Sequence, residues 1–292
     1  MSKVPASEPR ALPGAGSGAE AGLESKEAAL DRALRDLPSL IVAYSGGVDS
    51  AYLAYAAHRA LGSAALCVTA DSPSYPERHR ALALRIAGEF GFNHQFIQTA
   101  EMARPEYRAN PANRCYYCKH ELYTHLAALA RDRGIPVIAD GSNADDRGDY
   151  RPGRQAAREF GVRSPLDEVG LTKDEIRELS RRALLPTWDE PASACLSSRI
   201  PYFSEVTDEK LRMIERAEMV LRDLGFRICR VRHHDSIARL ELGPDEIRRA
   251  LEPETAAAID RELRAIGYAH VTVDLRGYRL GSLNDALRLR EV

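Results

Sequence analysis

Residues 40–55 read "LIVAYSGGVDSAYLAY" and join three kinds of local structure without a break. Leu40 to Tyr44 form a continuous apolar run, the pattern of a strand buried on both faces of a parallel sheet. Gly46 and Gly47 permit a tight turn, and the residues from Ala51 onward have the composition of a helix. A strand that passes through a glycine turn into a helix brings backbone N–H groups and the positive end of the helix dipole to one point. That point suits an anion. Ser45 and Ser50 add hydroxyl donors. Asp49 would repel a bare phosphate, so its presence implies a bound Mg²⁺ that offsets both charges. The loop is neither G-x-x-x-x-G-K-[ST] nor G-x-G-x-x-G, which excludes the P-loop NTPase and Rossmann dinucleotide motifs.

Outward from this loop, strand and helix patterns alternate. A helix around Leu30, Leu34 and Leu37 precedes the loop. "AALCVTA" reads as a second strand, Glu77 to Phe90 as a helix stopped at Gly91, and "HQFIQ" as a third strand. A helix from about Tyr116 to Arg131 and a strand from Ile135 to Asp140 follow. Thr172 with Glu175 makes a capping box that opens "KDEIRELSRRAL". The expected fold class is α/β, a parallel sheet with helices on both faces, over residues 26–200. After Pro201 the pattern changes to a helix (Asp208 to Leu224), two strands ("RICRVRHH", "IARLEL"), two helices and the strand "HVTVDL". Residues 201–292 are therefore expected to form a smaller α+β domain, and residues 1–25, rich in Pro, Gly, Ala and Ser, a disordered leader.

The 292 residues carry a formal net charge of −2, with 44% hydrophobic and 29% charged residues. No global basic field draws such a chain to nucleic acid or anionic lipid, no apolar run is long enough for a membrane helix, and no signal-peptide segment is seen. A cytoplasmic protein that binds neither nucleic acid nor membrane is expected. Its five cysteines are too few and too scattered for a disulfide framework. Cys67 and Cys229 lie in apolar or alternating runs and are expected in the core, as is Trp188, the single tryptophan. Cys115 and Cys118, three apart in "NRCYYCKH", suit a redox pair, a zinc half-site completed by His120 and His125, or part of an iron–sulfur site. Cys195 in "PASACLSSRIPY" has small neighbours and a nearby guanidinium, which leave a sulfur approachable and favour its thiolate. Together the three thiolates have the number needed to hold a [4Fe–4S] cluster by three irons, leaving the fourth open.

The segment Ser45–Ser50 closely resembles the SGGxDS pyrophosphate loop (PP-loop) of the ATP pyrophosphatases, which have an adenine-nucleotide alpha-hydrolase-like fold. The resemblance implies that Ser45, Gly46, Gly47, Asp49 and Ser50 hold ATP and the departing pyrophosphate, with Mg²⁺ on Asp49. Five stretches in order, "IVAYSGGVDSAYLAY", "RCYYCKHELY", "ADGSNADDRGDYRPGRQAAREFGVRSPL", "PASACLSSRIPY" and "VRHHDSIARLEL", resemble the LarE family. These are ATP-dependent pyridinium-3,5-biscarboxylic acid mononucleotide sulfurtransferases that help build the nickel-pincer nucleotide of lactate racemase. In one kind of LarE a single cysteine matching Cys195 gives up its sulfur. In the other a CxxC joins it to bind a [4Fe–4S] cluster that carries a sulfide. Cys115 and Cys118 imply the second kind, with Cys195 catalytic. Asp146, Arg151 and Arg154, on the rim after the Ile135 strand, and Arg199, Arg230 and Arg232 are candidates to bind ATP or the substrate. Arg230 and Arg232 share one strand face by period 2. The partners expected are the small pyridinium mononucleotide, a sulfur donor the sequence does not name, and a second copy in a homo-oligomer. The competing readings are a tRNA thiolase, an amidating synthetase and a non-enzymatic nucleotide-binding module.

Overall fold

The computed structural model describes residues 16–148, 152–191, 194–279 and 281–284. Four parallel strands, β1 (Leu40–Ala43), β2 (Ala65–Asp71), β3 (Asn93–Gln98) and β4 (Ile138–Ala139), pair in the order β3-β2-β1-β4. The helices are α1 (Gly16–Arg35), α2 (Val48–Leu61), α3 (Glu77–Glu89), α4 (Pro105–Arg108), α5 (Arg114–Arg133), α6 (Gly153–Glu159), α7 (Pro165–Glu168) and α8 (Lys173–Arg182). The buried strand β1 serves two cores, because successive side chains point to opposite faces. Leu40 and Val42 pack with Leu30, Leu34, Leu53 and Ile176 on one side. Ile41 and Ala43 pack with Leu122, Leu126 and Ala156 on the other. Helices thus cover both faces, as the alternating pattern implies.

The second unit comprises α9 (Asp208–Asp223), β5 (Cys229–His234), β6 (Ile237–Leu242), α10 (Ile247–Ala250), α11 (Pro253–Ile266) and β7 (His270–Val273). Its strands run in the order β5-β6-β7, antiparallel then parallel, and enclose a separate core. The capping box is formed: Thr172 Oγ1 accepts from Glu175 N, and Glu175 returns to Thr172 N. Cys67 and Cys229 are buried, and burial pushes their thiols up to about 12 and about 11.

Two expectations differ from the structure. Helix α1 starts at Gly16, inside the stretch whose composition suggests a leader, and is seated by Leu23, Leu30 and Leu34. Trp188 is 42% exposed rather than in the core.

Candidate functional site

The pyrophosphate loop is preorganised by its own hydroxyls. Gly46 takes φ +70°, and a Cβ there would stand 3.0 Å from the Ala83 Cβ. Ser50 Oγ accepts from Ser45 N at 3.1 Å, lies 3.0 Å from Ser45 Oγ, and donates to Gly47 O at 3.1 Å. Gly47 then caps α2 in an extended conformation. The rim after β4 closes against this turn. A Cβ on Gly141 would come within 2.9 Å of Ser50 N, so only glycine lets the two backbones approach so closely. Asp49 is paired with the Lys173 ammonium at the start of α8 and accepts from Asn143 Nδ2 at 3.3 Å. The charge on Asp49 that the sequence reading assigns to Mg²⁺ is thus balanced here by Lys173.

The Cys195 loop is held on several sides. Leu196 N donates to Ser74 O at 2.9 Å. Arg114, buried at the start of α5, donates to Ser197 O at 2.9 Å, and Tyr107 OH lies 2.7 Å from Ser197 Oγ. Arg199 Nη1 donates to the carbonyls of Ala194 (2.7 Å) and Cys195 (2.9 Å), and its Nε to Glu218 Oε1 at 2.8 Å. Arg232 Nη1 reaches Ser198 O at 2.7 Å from the second unit. Burial is the largest single influence on Glu218 of α9 and drives it up, but Arg199, Arg230 and Arg222 together outweigh it and hold the carboxyl down to about 2. His79, buried beside Arg78, Arg199 and Arg222, falls to about 3, chiefly through desolvation.

These two structures meet in one cavity of about 140 Å³. Its lining includes Tyr44, Ser45, Thr69 and Thr99 together with Glu101, Cys118, Lys119 and Cys195. Burial pushes the Cys118 thiol well up, and Glu101 and Cys195 add to the effect. Cys115, one turn earlier on α5, is exposed.

No protein-family model matches the chain. A pyridinium-3,5-bisthiocarboxylic acid mononucleotide synthase of Lactiplantibacillus plantarum is 35% identical over 91% of this chain and 96% of its own length. The chain belongs to the LarE family. An uncharacterised protein of Synechocystis is 45% identical over 91% of this chain and 99% of its own. One of the subunits of the glutamine-hydrolysing GMP synthase of Methanopyrus kandleri is 28% identical over 63% of this chain and 62% of its own. The parallel four-stranded sheet with flanking helices fits the PP-loop fold of these relatives.

Within that family fold, the other site residues expected from sequence fall into three groups. Arg199 was expected on substrate, but it is 1% exposed, and its three guanidinium nitrogens are engaged by Glu218 and the Cys195 loop. Arg230 and Arg232 share one face of β5, opposite Cys229 and Val231 in the core, and both are buried. Arg230 Nη1 donates to Cys229 O, and its guanidinium lies over the Tyr278 ring. Arg232 also pairs with Glu241, and its Nε is buried with no hydrogen-bond partner among the described residues. Asp146 accepts from Asn143 N at 3.1 Å, and Asn143 in turn donates to Asp49 at 3.3 Å. Arg154 shares the Asp167 carboxylate with Arg147. Arg151 lies outside the described residues. His120 packs edge-on against Phe160, and His125 pairs with Glu121.

Sequence reasoning missed Lys173, Asn143, Arg114, Glu101 and Glu218. Glu218 left a trace, because it falls on the apolar stripe of α9 with Leu211, Ile214 and Leu221. A carboxylate in that position calls for a buried cation.

The cysteines can be tested against a cluster. No three His, Cys, Asp or Glu side chains among the described residues are placed to hold a metal ion. The donor chemistry fits: three soft thiols, two lining one cavity and the third one helical turn away. A bound metal would also reverse the cost of ionising Cys118.

Proposed function

We propose that this chain is an ATP-dependent sulfurtransferase that converts pyridinium-3,5-biscarboxylic acid mononucleotide to its thiocarboxylate, in nickel-pincer nucleotide synthesis. The observation that carries this reading is the single cavity shared by the pyrophosphate loop and Cys118 with Cys195. A carboxylate oxygen of the substrate attacks the α-phosphorus of ATP, and the bond to the β-phosphate oxygen breaks. The pyrophosphate is received by the Ser45–Ser50 turn and the N-terminus of α2, where Asp49 would hold a Mg²⁺ that offsets its charge. Lys173 then exchanges Asp49 for the departing phosphates. A sulfur nucleophile next attacks the acyl carbon, and AMP leaves with the original carboxylate oxygen. A [4Fe–4S] cluster held by Cys115, Cys118 and Cys195 would supply a replaceable nucleophilic sulfide when bound. Arg232, with its orphaned Nε, and Arg230 would meet the substrate's phosphate.

The test is incubation of the anaerobically purified protein with ATP, Mg²⁺ and the pyridinium substrate. Pyrophosphate, AMP and the mass change of an oxygen-to-sulfur exchange are followed. Wild type is expected to exceed one sulfur per chain, and a Cys115→Ala/Cys118→Ala variant is not. Full multiple turnover by that variant would refute the cluster. Conversion of Cys195 to dehydroalanine, with one sulfur per chain, would instead assign sacrificial donation.

A further inference from the structure

Glu101 is a carboxylate 2% exposed in the lining of the cavity, outside every motif that defines the site. Its two close partners are the hydroxyls of Ser72 and Ser74, which both donate to the same oxygen, Oε1, at 2.5 and 2.8 Å. Those serines lie on the short segment that leaves β2 and leads to α3. Ser74 O accepts from Leu196 N, the residue after Cys195, at 2.9 Å. On the same segment, Tyr75 OH donates to Ser45 O at 2.9 Å, at the first residue of the pyrophosphate loop. Residues 72–75 therefore form a strap between the two ends of the cavity, and Glu101 is the post to which it is tied.

We infer that Glu101 is a positioning residue that sets the Cys195 loop against the nucleotide end by fixing Ser72 and Ser74. This rests on the reading of the site as a sulfurtransferase. The role asks for an acceptor oxygen at one place, and a charge is not required. Near-attack geometry tolerates little displacement, so a loosened strap would slow the transfer of sulfur to the adenylated carboxylate more than it weakens binding of ATP.

The full-length protein tests this with Glu101→Gln and Glu101→Ala. Gln keeps an oxygen able to accept both hydroxyls, whereas Ala removes it and leaves Ser72 and Ser74 only each other, 3.0 Å apart, untied from the third strand's end of the cavity. In Glu101→Ala, hydrogen exchange at the Leu196 amide and alkylation of Cys195, resolved by mass spectrometry, are expected to quicken roughly tenfold or more. The kcat for sulfur transfer should fall by a similar factor, with KM for ATP within about threefold. Glu101→Gln should sit near wild type on all these readouts. If Gln fails as badly as Ala, or Ala moves neither Leu196 exchange nor Cys195 alkylation, the inference is overturned. Failure of wild type to release pyrophosphate with the pyridinium substrate would instead overturn the proposed reaction, and the exchange and alkylation comparison would still decide the role of Glu101.

Discussion

The substitution Glu218→Gln puts a magnitude on the buried pair behind the Cys195 loop. Glu218 and Arg199 are 2% and 1% exposed, and Glu218 also accepts from Arg222 and from Val231 N. Gln preserves the shape and removes the charge, leaving Arg199 buried without its counter-ion. Breaking a pair of this kind costs about 3–5 kcal/mol. Proton linkage gives a second route to the number. The fall of the Glu218 pKa from 4.5 to about 2 on folding, at about 1.36 kcal/mol per pH unit, corresponds to about 3 kcal/mol. A depressed carboxylate contributes this stability above pH 4.5 and loses it as pH falls toward 2. Urea unfolding of wild type and variant should therefore differ by about 3 kcal/mol at pH 7, with the gap closing below about pH 4.5. A loss under about 1 kcal/mol at pH 7, or a gap that persists unchanged to pH 3, would refute the reasoning. Replacing both partners, Arg199→Met with Glu218→Leu, should recover only part of the loss. The carbonyls of Ala194 and Cys195 would still lack the donor that Arg199 provides.

The other expectations concern the nucleotide end. Gly46→Ala places a side chain at φ +70° and 3.0 Å from the Ala83 Cβ, a strain of about 1–2 kcal/mol from the backbone alone. Calorimetric ATP affinity should drop about tenfold, and an unchanged Kd would count against the loop as the ATP site. Lys173→Met removes a pair whose side chains are 31% and 24% exposed, so stability should change by less than about 1 kcal/mol. Its KM for ATP should nevertheless rise several-fold in steady-state kinetics, and equal losses of stability and activity would mark Lys173 as merely structural.

How far the sequence reaches depends on whether a feature is local. The strand, turn and helix of residues 40–55 follow from apolar run, glycine pair and periodicity, and the Thr172–Glu175 cap from two side chains three apart. Strand order is not local: nothing in the spacing of β1 to β4 says that β1 lies between β2 and β4. The start of α1 was hidden because residues 16–22 contain little except small and polar side chains, and the apolar periodicity that marks the helix begins only at Leu23, which is buried. Arg199 was legible as a binding arginine near Cys195 but not as Glu218's partner, because the two meet only when the second unit packs on the first. Lys173 carries no local signal for Asp49, 124 positions away.

The same distinction bears on the chemistry. In the proposed reaction an acyl adenylate would be lost to water unless its sulfur nucleophile were already in place, so that reaction requires the two ends of the site to be held in register before ATP is cleaved. The Ser45–Ser50 turn is shaped largely by its own serines and glycines, with Tyr75 added on Ser45 O. The Cys195 loop does not hold itself. Ser74 fixes it from the first sheet, Arg114 from the CxxC helix, Arg199 through Glu218, and Arg232 from the second unit. The contacts from Ser74, Arg114 and Arg232 are long-range in sequence, Arg199 is held in turn by Glu218, and the four meet the backbone around Cys195 rather than its sulfur. The sulfur is thus left to face the cavity while its main chain is fixed from both units, an arrangement that serves a cluster ligand and a nucleophile alike. The two differ in what Cys115 and Cys118 add. On α5, anchored through Arg114 to the same loop, they bring the further thiols that the proposed cluster would require.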